Sequence, residues 1–222
     1  MSLSIYTKVC GLTQQENVRM VVAAGADAIG LNFYPKSKRF VSQESAIELR
    51  SQIPKHVDVV GVFVNHGVED VIDTAKTVGL TAIQFHGDES LAEIKHIYDC
   101  CPSTKIYRAF RLSHENLKQT IAEVAALKEA GVPLSAVLVD AFVAGEFGGT
   151  GHQLDRQLIQ QLPTDWPPLI VAGGLTADNV ADCVNAVNPW GVDVASGVES
   201  EPGIKAPDKT KQFVRAAKIA KQ

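Results

Sequence analysis

The chain has 222 residues, and its 21 basic against 25 acidic side chains give a formal net charge of −4. An apolar share of 45% supports a buried core and excludes a disordered chain, while mild acidity without a basic block argues against a duplex nucleic-acid binder. Four cysteines without zinc-ligand spacing exclude a disulfide scaffold and suit a reducing compartment.

In chain order, short apolar runs alternate with amphipathic segments. Ile5–Val9 reads as a strand, followed by a helix over Gln14–Ala24 that Thr13 starts and Gly25 closes, with Val18, Val21 and Val22 on one face. Ala28–Phe33 is a second strand, and Ser42 starts a helix over Gln43–Gln52. Val57–Val64 is a third strand, and Val68, Val71, Ile72, Ala75 and Val78 then hold helical period up to Gly79. Strands over Ala82–His86 and Lys105–Phe110 flank a helix that ends at Cys100-Cys101, before Pro102. Gly131 closes a further helix ahead of the strand Ala136–Asp140. A Gly-rich connection over Ala141–Gln153 follows; a loop longer than ~12 residues inside a compact domain is usually functional. Leu169–Ala172 and Val192–Ala195 are the last strands, around a helix over Ala177–Val187 started by Thr176.

Runs such as 59–64 and 136–139 are apolar at nearly every position, as strands buried on both faces of a parallel sheet are. Eight strand–helix units could form an open doubly wound sheet. Cys10-Gly11-Leu12-Thr13 is not the Gly-rich fingerprint expected after the first strand of such a sheet. The expected fold is therefore α/β, a single-domain (βα)8 TIM barrel over residues 1–222, at the short end of the range for that fold.

In such a barrel, chemistry sits where strands end at their C-terminal side. Gly173-Gly174 and Ser196-Gly197 follow the seventh and eighth strands, where barrels commonly hold phosphate on backbone N–H groups. A single glycine pair reads equally as a tight turn; two on adjacent strands point to phosphate. Cys10 ends the first strand, as a small buried hydrophobe or as a reactive thiol. Asp140 ends a dry sixth strand, where desolvation would raise its pKa toward that of a general acid; a turn cap or a lysine partner is the plainer alternative. Asp193 lies two residues inside its strand end, placed as well to orient a neighbour as to touch a substrate. Arg39 stands in a Lys/Arg run with Lys36 and Lys38; above the mouth it could grip a substrate carboxylate in a bidentate fork. His86 reads as a hydrogen-bonding wall, Cys183 as core, and Cys100 and Cys101 as structural. No lysine is clearly placed for a Schiff base, and no histidine spacing suggests a metal. One thiol, one carboxylate, one cation and a phosphate cradle suit proton transfers on a phosphorylated sugar.

Several segments, taken in order, resemble the phosphoribosylanthranilate isomerase family over nearly the whole chain. They are Lys8-Val9-Cys10-Gly11, the 33–39 segment Phe-Tyr-Pro-Lys-Ser-Lys-Arg, Gln84-Phe85-His86-Gly87, Gly148-Gly149-Thr150-Gly151, Ala172-Gly173-Gly174-Leu175 and the 192–199 segment Val-Asp-Val-Ala-Ser-Gly-Val-Glu. The resemblance implies a barrel of tryptophan biosynthesis that carries out an Amadori rearrangement without metal or organic cofactor. It implies Cys10 as general base, Asp140 as general acid, Arg39 as the partner of the anthranilate carboxylate, and Gly173, Gly174, Ser196 and Gly197 as phosphate loops. By their positions at or near strand ends, His86 and Asp193 are expected beside Arg39 among the substrate-binding residues.

Three segments depart from the family pattern. Val9 stands for the usual isoleucine; Leu154-Asp155-Arg156 stands where Phe-Asp-Trp is common; and Ala206 replaces an aspartate, with Asp208 two residues on. An indole-glycerol-phosphate synthase would be expected to pair a lysine with a glutamate at strand ends. A metal-dependent epimerase would gather histidines and aspartates there, and an idle barrel would have little reason to keep both Cys10 and Asp140. No apolar run reaches the ~18 residues of a membrane span, and no signal-peptide pattern opens the chain, so the expected partner is a small phosphorylated sugar in the cytoplasm, with neither nucleic acid nor membrane involved. Oligomeric state is not legible.

Overall fold

A computed structural model describes residues 5–140 and 156–220. Its elements are β1 (Tyr6–Cys10), α1 (Gln15–Ala23), β2 (Ala28–Asn32), α2 (Gln43–Ser51), β3 (Asp58–Phe63), α3 (Val68–Val78), β4 (Ala82–Phe85), α4 (Leu91–Cys100), β5 (Lys105–Arg111), α5 (Leu117–Glu129), β6 (Leu134–Asp140), α6 (Arg156–Gln160), β7 (Leu169–Ala172), α7 (Val180–Val187), β8 (Gly191–Val194), β9 (Glu199–Glu201), β10 (Ile204–Lys205) and α8 (Pro207–Ile219), with a 3-10 turn at Ser196–Val198 after β8. The Gly-rich connection, including Gly148–Gly151, and Leu154-Asp155 after it lie outside the described residues.

Strands β1 to β8 pair in parallel in chain order, and β1 closes on β8 with Lys8 opposite Asp193, so the sheet is the expected (βα)8 barrel. Because side chains alternate along a strand, each strand presents one row to the helices and one to the barrel axis. The outer row and the inner helix faces form one large cluster containing Val9, Ile29, Phe63, Ile83 and Phe213. Burial of such side chains is worth about 1.5–3 kcal/mol each. The inner row is dominated by small residues, among them Ala28, Ala82, Ala109, Ala136 and Ala172, which leave room for Tyr107. Below them, Tyr6 donates its hydroxyl to Asp58 Oδ2 at 2.9 Å and stacks on Trp190, while Lys105 donates to the same oxygen at 2.7 Å. Polar partners thus close the floor, and the open end is the C-terminal one.

The helix signals hold in part. Val71, Ile72, Ala75 and Val78 of α3 are buried as their spacing requires, and Gly79 ends the helix at φ 71°. Ser42 caps α2 by accepting from Ser45 N. Thr13 and Thr176 are not N-caps: α1 starts behind Gln14 and α7 behind Asn179. Thr13 instead donates to Gly203 O at 2.8 Å, fastening the β9–β10 hairpin to the loop after β1. The last helix starts behind Ala206 without a side-chain cap, with Pro207 opening it and Asp208 in its first turn, where a negative charge meets the helix dipole.

Candidate active site

Cys10 lies half-buried at the end of β1, with the inner face of β2 beside it. A Cβ on Gly30 would stand 2.6 Å from Cys10 Sγ, so the glycine makes the space the sulfur occupies. Two residues back along the same strand, Lys8 is fully buried and donates to Asp193 Oδ2 at 2.9 Å. The other oxygen, Asp193 Oδ1, is buried with no hydrogen-bond partner among the described residues. Burial pushes the Cys10 thiol up; Lys8 and Lys205 pull it down and Asp193 pushes it up, and the balance stays above the ordinary thiol range. Burial alone would lower Lys8, but Asp193 and Cys10 outweigh it and hold the ammonium charged.

The sequence marks Lys8 only as part of the first strand end and assigns it no role; the structure places it inside the barrel, below Cys10 and paired with Asp193. Its signal was available: period two from Cys10 puts it on the same face of β1. A lysine on a strand that is otherwise buried on both faces needs a counter-ion, and Asp193 supplies it across the β1–β8 seam.

Arg39 reaches the same side of the mouth. A Cβ on Gly11, at φ 79°, would lie 2.4 Å from Arg39 Cδ, so this glycine lets the arginine stem lie against the β1 loop. The expected open fork is occupied: Arg39 Nε and Nη2 donate to the two oxygens of buried Glu199 at 2.7 and 2.6 Å. Glu199 Oε1 also accepts from Lys205 Nζ at 2.7 Å and from Gly203 N at 3.2 Å. Burial alone would raise Glu199, yet Arg39 and Lys205 outweigh it and hold the carboxyl below its usual range. The five donors of a guanidinium leave the Nη1 edge for another partner. Arg39→Lys is therefore expected to lower both stability, by about 1–3 kcal/mol, and affinity for a carboxylate ligand, because lysine keeps the charge and loses both forks. Thermal melts and product-analogue titrations check this, and unchanged values in both would contradict it. Lys36 and Lys38 are exposed, as expected of a solvated run.

Across the mouth, Asp140 ends β6, its backbone in register with Arg111 of β5 and Ala172 of β7. His86 follows β4 and meets Gln84 Nε2 through Nδ1 at 3.2 Å, the wall contact expected of it. Burial and Lys8 lower the His86 pKa, against the opposing pull of Asp193 and Asp140, so the imidazole is neutral near pH 7. Arg108, almost fully buried, donates to Glu89 at 2.9 Å, Glu123 at 2.8 Å and Gly87 O at 2.9 Å, and so fixes the loop behind His86. The sequence gives Arg108 no sign of burial, because its partners Glu89 and Glu123 come from the loop after β4 and from α5, far from it in spacing.

The two glycine loops lie on adjacent strands. Gly173 and Gly174 have φ of 86° and 62°, a region that side chains rarely adopt. A Cβ on Gly197 would stand 1.8 Å from Leu175 O, so the loop after β8 packs directly on the loop after β7. Ser196 is exposed at the start of the short 3-10 turn that follows β8. Among the described residues, no group of three His, Cys, Asp or Glu side chains comes together as a metal site.

A closed (βα)8 barrel that gathers a thiol, a carboxylate and buried cations at its C-terminal mouth belongs to the class of barrel enzymes that work by proton transfer. The family model for N-(5'-phosphoribosyl)anthranilate isomerase matches residues 7–216. The chain is 43% identical over 215 residues to the enzyme of that name from Bordetella petrii, covering 96% of this chain and 94% of that protein. The crystal structure of phosphoribosyl anthranilate isomerase from Thermotoga maritima superposes with a TM-score of 0.84 at 35% identity, covering 96% and 98% of the two chains. A crystal structure of a phosphoribosyl anthranilate isomerase in complex with reduced 1-(o-carboxyphenylamino)-1-deoxyribulose 5-phosphate superposes with a TM-score of 0.82 at 33% identity, again covering 96% and 98%. The chain belongs to the N-(5'-phosphoribosyl)anthranilate isomerase family.

Proposed function

We propose that Cys10 is the general base and Asp140 the general acid of the reaction this family carries out. The chain is an aldose–ketose isomerase of tryptophan biosynthesis, converting N-(5'-phosphoribosyl)anthranilate into 1-(2-carboxyphenylamino)-1-deoxyribulose 5-phosphate. Asp140 gives a proton to the furanose ring oxygen, and the ring opens to an iminium. Cys10 takes the C2′ proton, and the resulting enolamine tautomerises to the ketone, so the sum is an isomerisation with no net redox change. The observation that carries the assignment is placement: Cys10 and Asp140 both end strands at the same mouth, separated on the shorter way round by β7 and β8. A buried thiol is a poor base at rest, and the positive iminium formed beside it favours the thiolate when it is needed.

Gly173, Gly174, Ser196 and Gly197 take the substrate phosphate on backbone N–H groups, and Arg39 meets the anthranilate carboxylate through its remaining edge. His86 and Asp193 line the sugar-binding floor. A Gly197→Ala variant is expected to raise KM on the order of tenfold or more, the worth of one charge-assisted hydrogen bond, because the loop must move off Leu175. Initial rates with the unstable substrate generated in place measure this, and an unchanged KM would move the phosphate elsewhere. The same coupled assay tests the whole reading, since a folded protein without isomerase activity would end it.

Residues 1–222 act as one domain in this reading, because the first strand closes the barrel on the eighth. Among the described residues no helix is long and apolar enough to cross a membrane. A phosphorylated biosynthetic substrate supports the cytoplasm as the compartment, which cell fractionation would check.

A further inference from the structure

We propose that Lys8 is a positioning residue that keeps Cys10 reactive: its buried ammonium, tethered by Asp193, lies beneath the thiol and favours the thiolate. The inference rests on the reading of Cys10 as the base and adds to it a residue whose side chain never needs to touch the substrate.

The geometry is specific. Lys8 and Cys10 share the inner row of β1, and Gly30 of β2 seats the sulfur. Lys8 is 0% exposed, so water does not screen its charge from its neighbours. One of its three N–H donors goes to Asp193 Oδ2, which leaves two. Asp193 serves as tether and as counter-ion. Without it, burial would discharge the lysine, and a neutral amine would do nothing for a thiolate. Asp193 Oδ1, buried and unpartnered among the described residues, marks the cost of holding the pair inside the barrel.

The charged groups that face Cys10 come from every element around it: Lys8 on its own strand, Asp193 on β8, Lys205 on β10 and Arg39 from the loop after β2. Lys205 and Arg39 are both engaged by Glu199, whose negative charge offsets them. Asp193 offsets Lys8 in the same way, yet Lys8 is still the strongest influence working against the effect of burial on the thiol. A merely structural lysine would give up its place to a methionine of similar length without changing the thiol's chemistry. The proposal requires the opposite.

The test is iodoacetamide alkylation across a pH series, followed by mass spectrometry on the peptide that carries residue 10, in the full chain, Lys8→Met and the double variant K8M/D193N. The double variant removes both charges together and so avoids stranding a lone buried carboxylate if K8M fails to fold. The expected result is that the alkylation midpoint of K8M moves up by about one pH unit or more. The double variant should fall between K8M and the unaltered chain, because Asp193 opposes Lys8 and is lost with it. A midpoint at or below that of the unaltered chain in the folded double variant would overturn the proposal, as would an unmoved midpoint in folded K8M. The rising limb of kcat/KM against pH should move with the alkylation curve. If the alkylation curve moves and the limb stays, Lys8 acts on the thiol as proposed and the reading of Cys10 as the base is what fails.

Discussion

Cys10→Ser is expected to lower kcat by about 10²–10⁴-fold, the usual contribution of a general base, and to leave the melting midpoint nearly in place. Serine has the shape to sit against Gly30, so little packing is lost. Its hydroxyl gives up a proton far less readily than a thiol, so the alkoxide is not populated near neutrality. The competing view makes Cys10 a core hydrophobe; a variant that melts early yet turns over normally per folded molecule would establish that view. The pH dependence carries the same information with a definite sign. Burial holds the thiol above its ordinary value. Only the thiolate can take the C2′ proton, so kcat/KM rises with pH, and its limb lies above the ~8.5 of a free cysteine. A flat profile between pH 7 and 9 would contradict the assignment.

The eight strands were legible because barrel strands buried on both faces leave continuous apolar runs. Leu169–Ala172 has the same limits in the sequence and in the fold, and the other strands shift by one or two residues at one or both ends. The β9–β10 hairpin was not legible. Its strands are three and two residues long, too short for any period, and the turn rests on Gly203 at φ 87°. That omission concealed the environment of Arg39. Nothing in the spacing of Glu199 and Lys205 marks either as buried, yet the hairpin folds both inward, with Lys205 0% exposed in its side chain. The end of a strand tells where a side chain starts; only the packed hairpin tells which partner it meets. This is why the guanidinium, expected either in a solvated run or as an open fork for a carboxylate, proves to be held already. A fork clamped by a buried carboxylate gives up adaptability for a fixed direction, and a fixed direction is what an anion-binding edge requires.

Asp140→Asn is expected to remove about 10²–10⁴-fold of kcat while KM changes little, because asparagine keeps the size of aspartate and cannot hand a proton to the ring oxygen. The loss falls on a different step from that of Cys10→Ser, and this makes the two roles separable. Deuterium at C2′ slows only the step in which Cys10 takes the proton. In Asp140→Asn, ring opening becomes the slow step, so the isotope effect on kcat should shrink toward one. In Cys10→Ser, proton abstraction is slow, so the effect should persist or grow. The double variant should lose less than the product of the two single losses, since each single variant already stalls one sequence of proton transfers. If Asp140 instead served as a turn cap at the end of β6, its asparagine variant would melt earlier and retain both its rate per folded molecule and its isotope effect. Calorimetry beside the isotope measurement therefore decides between an acid and a cap, and a large isotope effect in a stable, slow Asp140→Asn would show that the proton on the ring oxygen comes from another group.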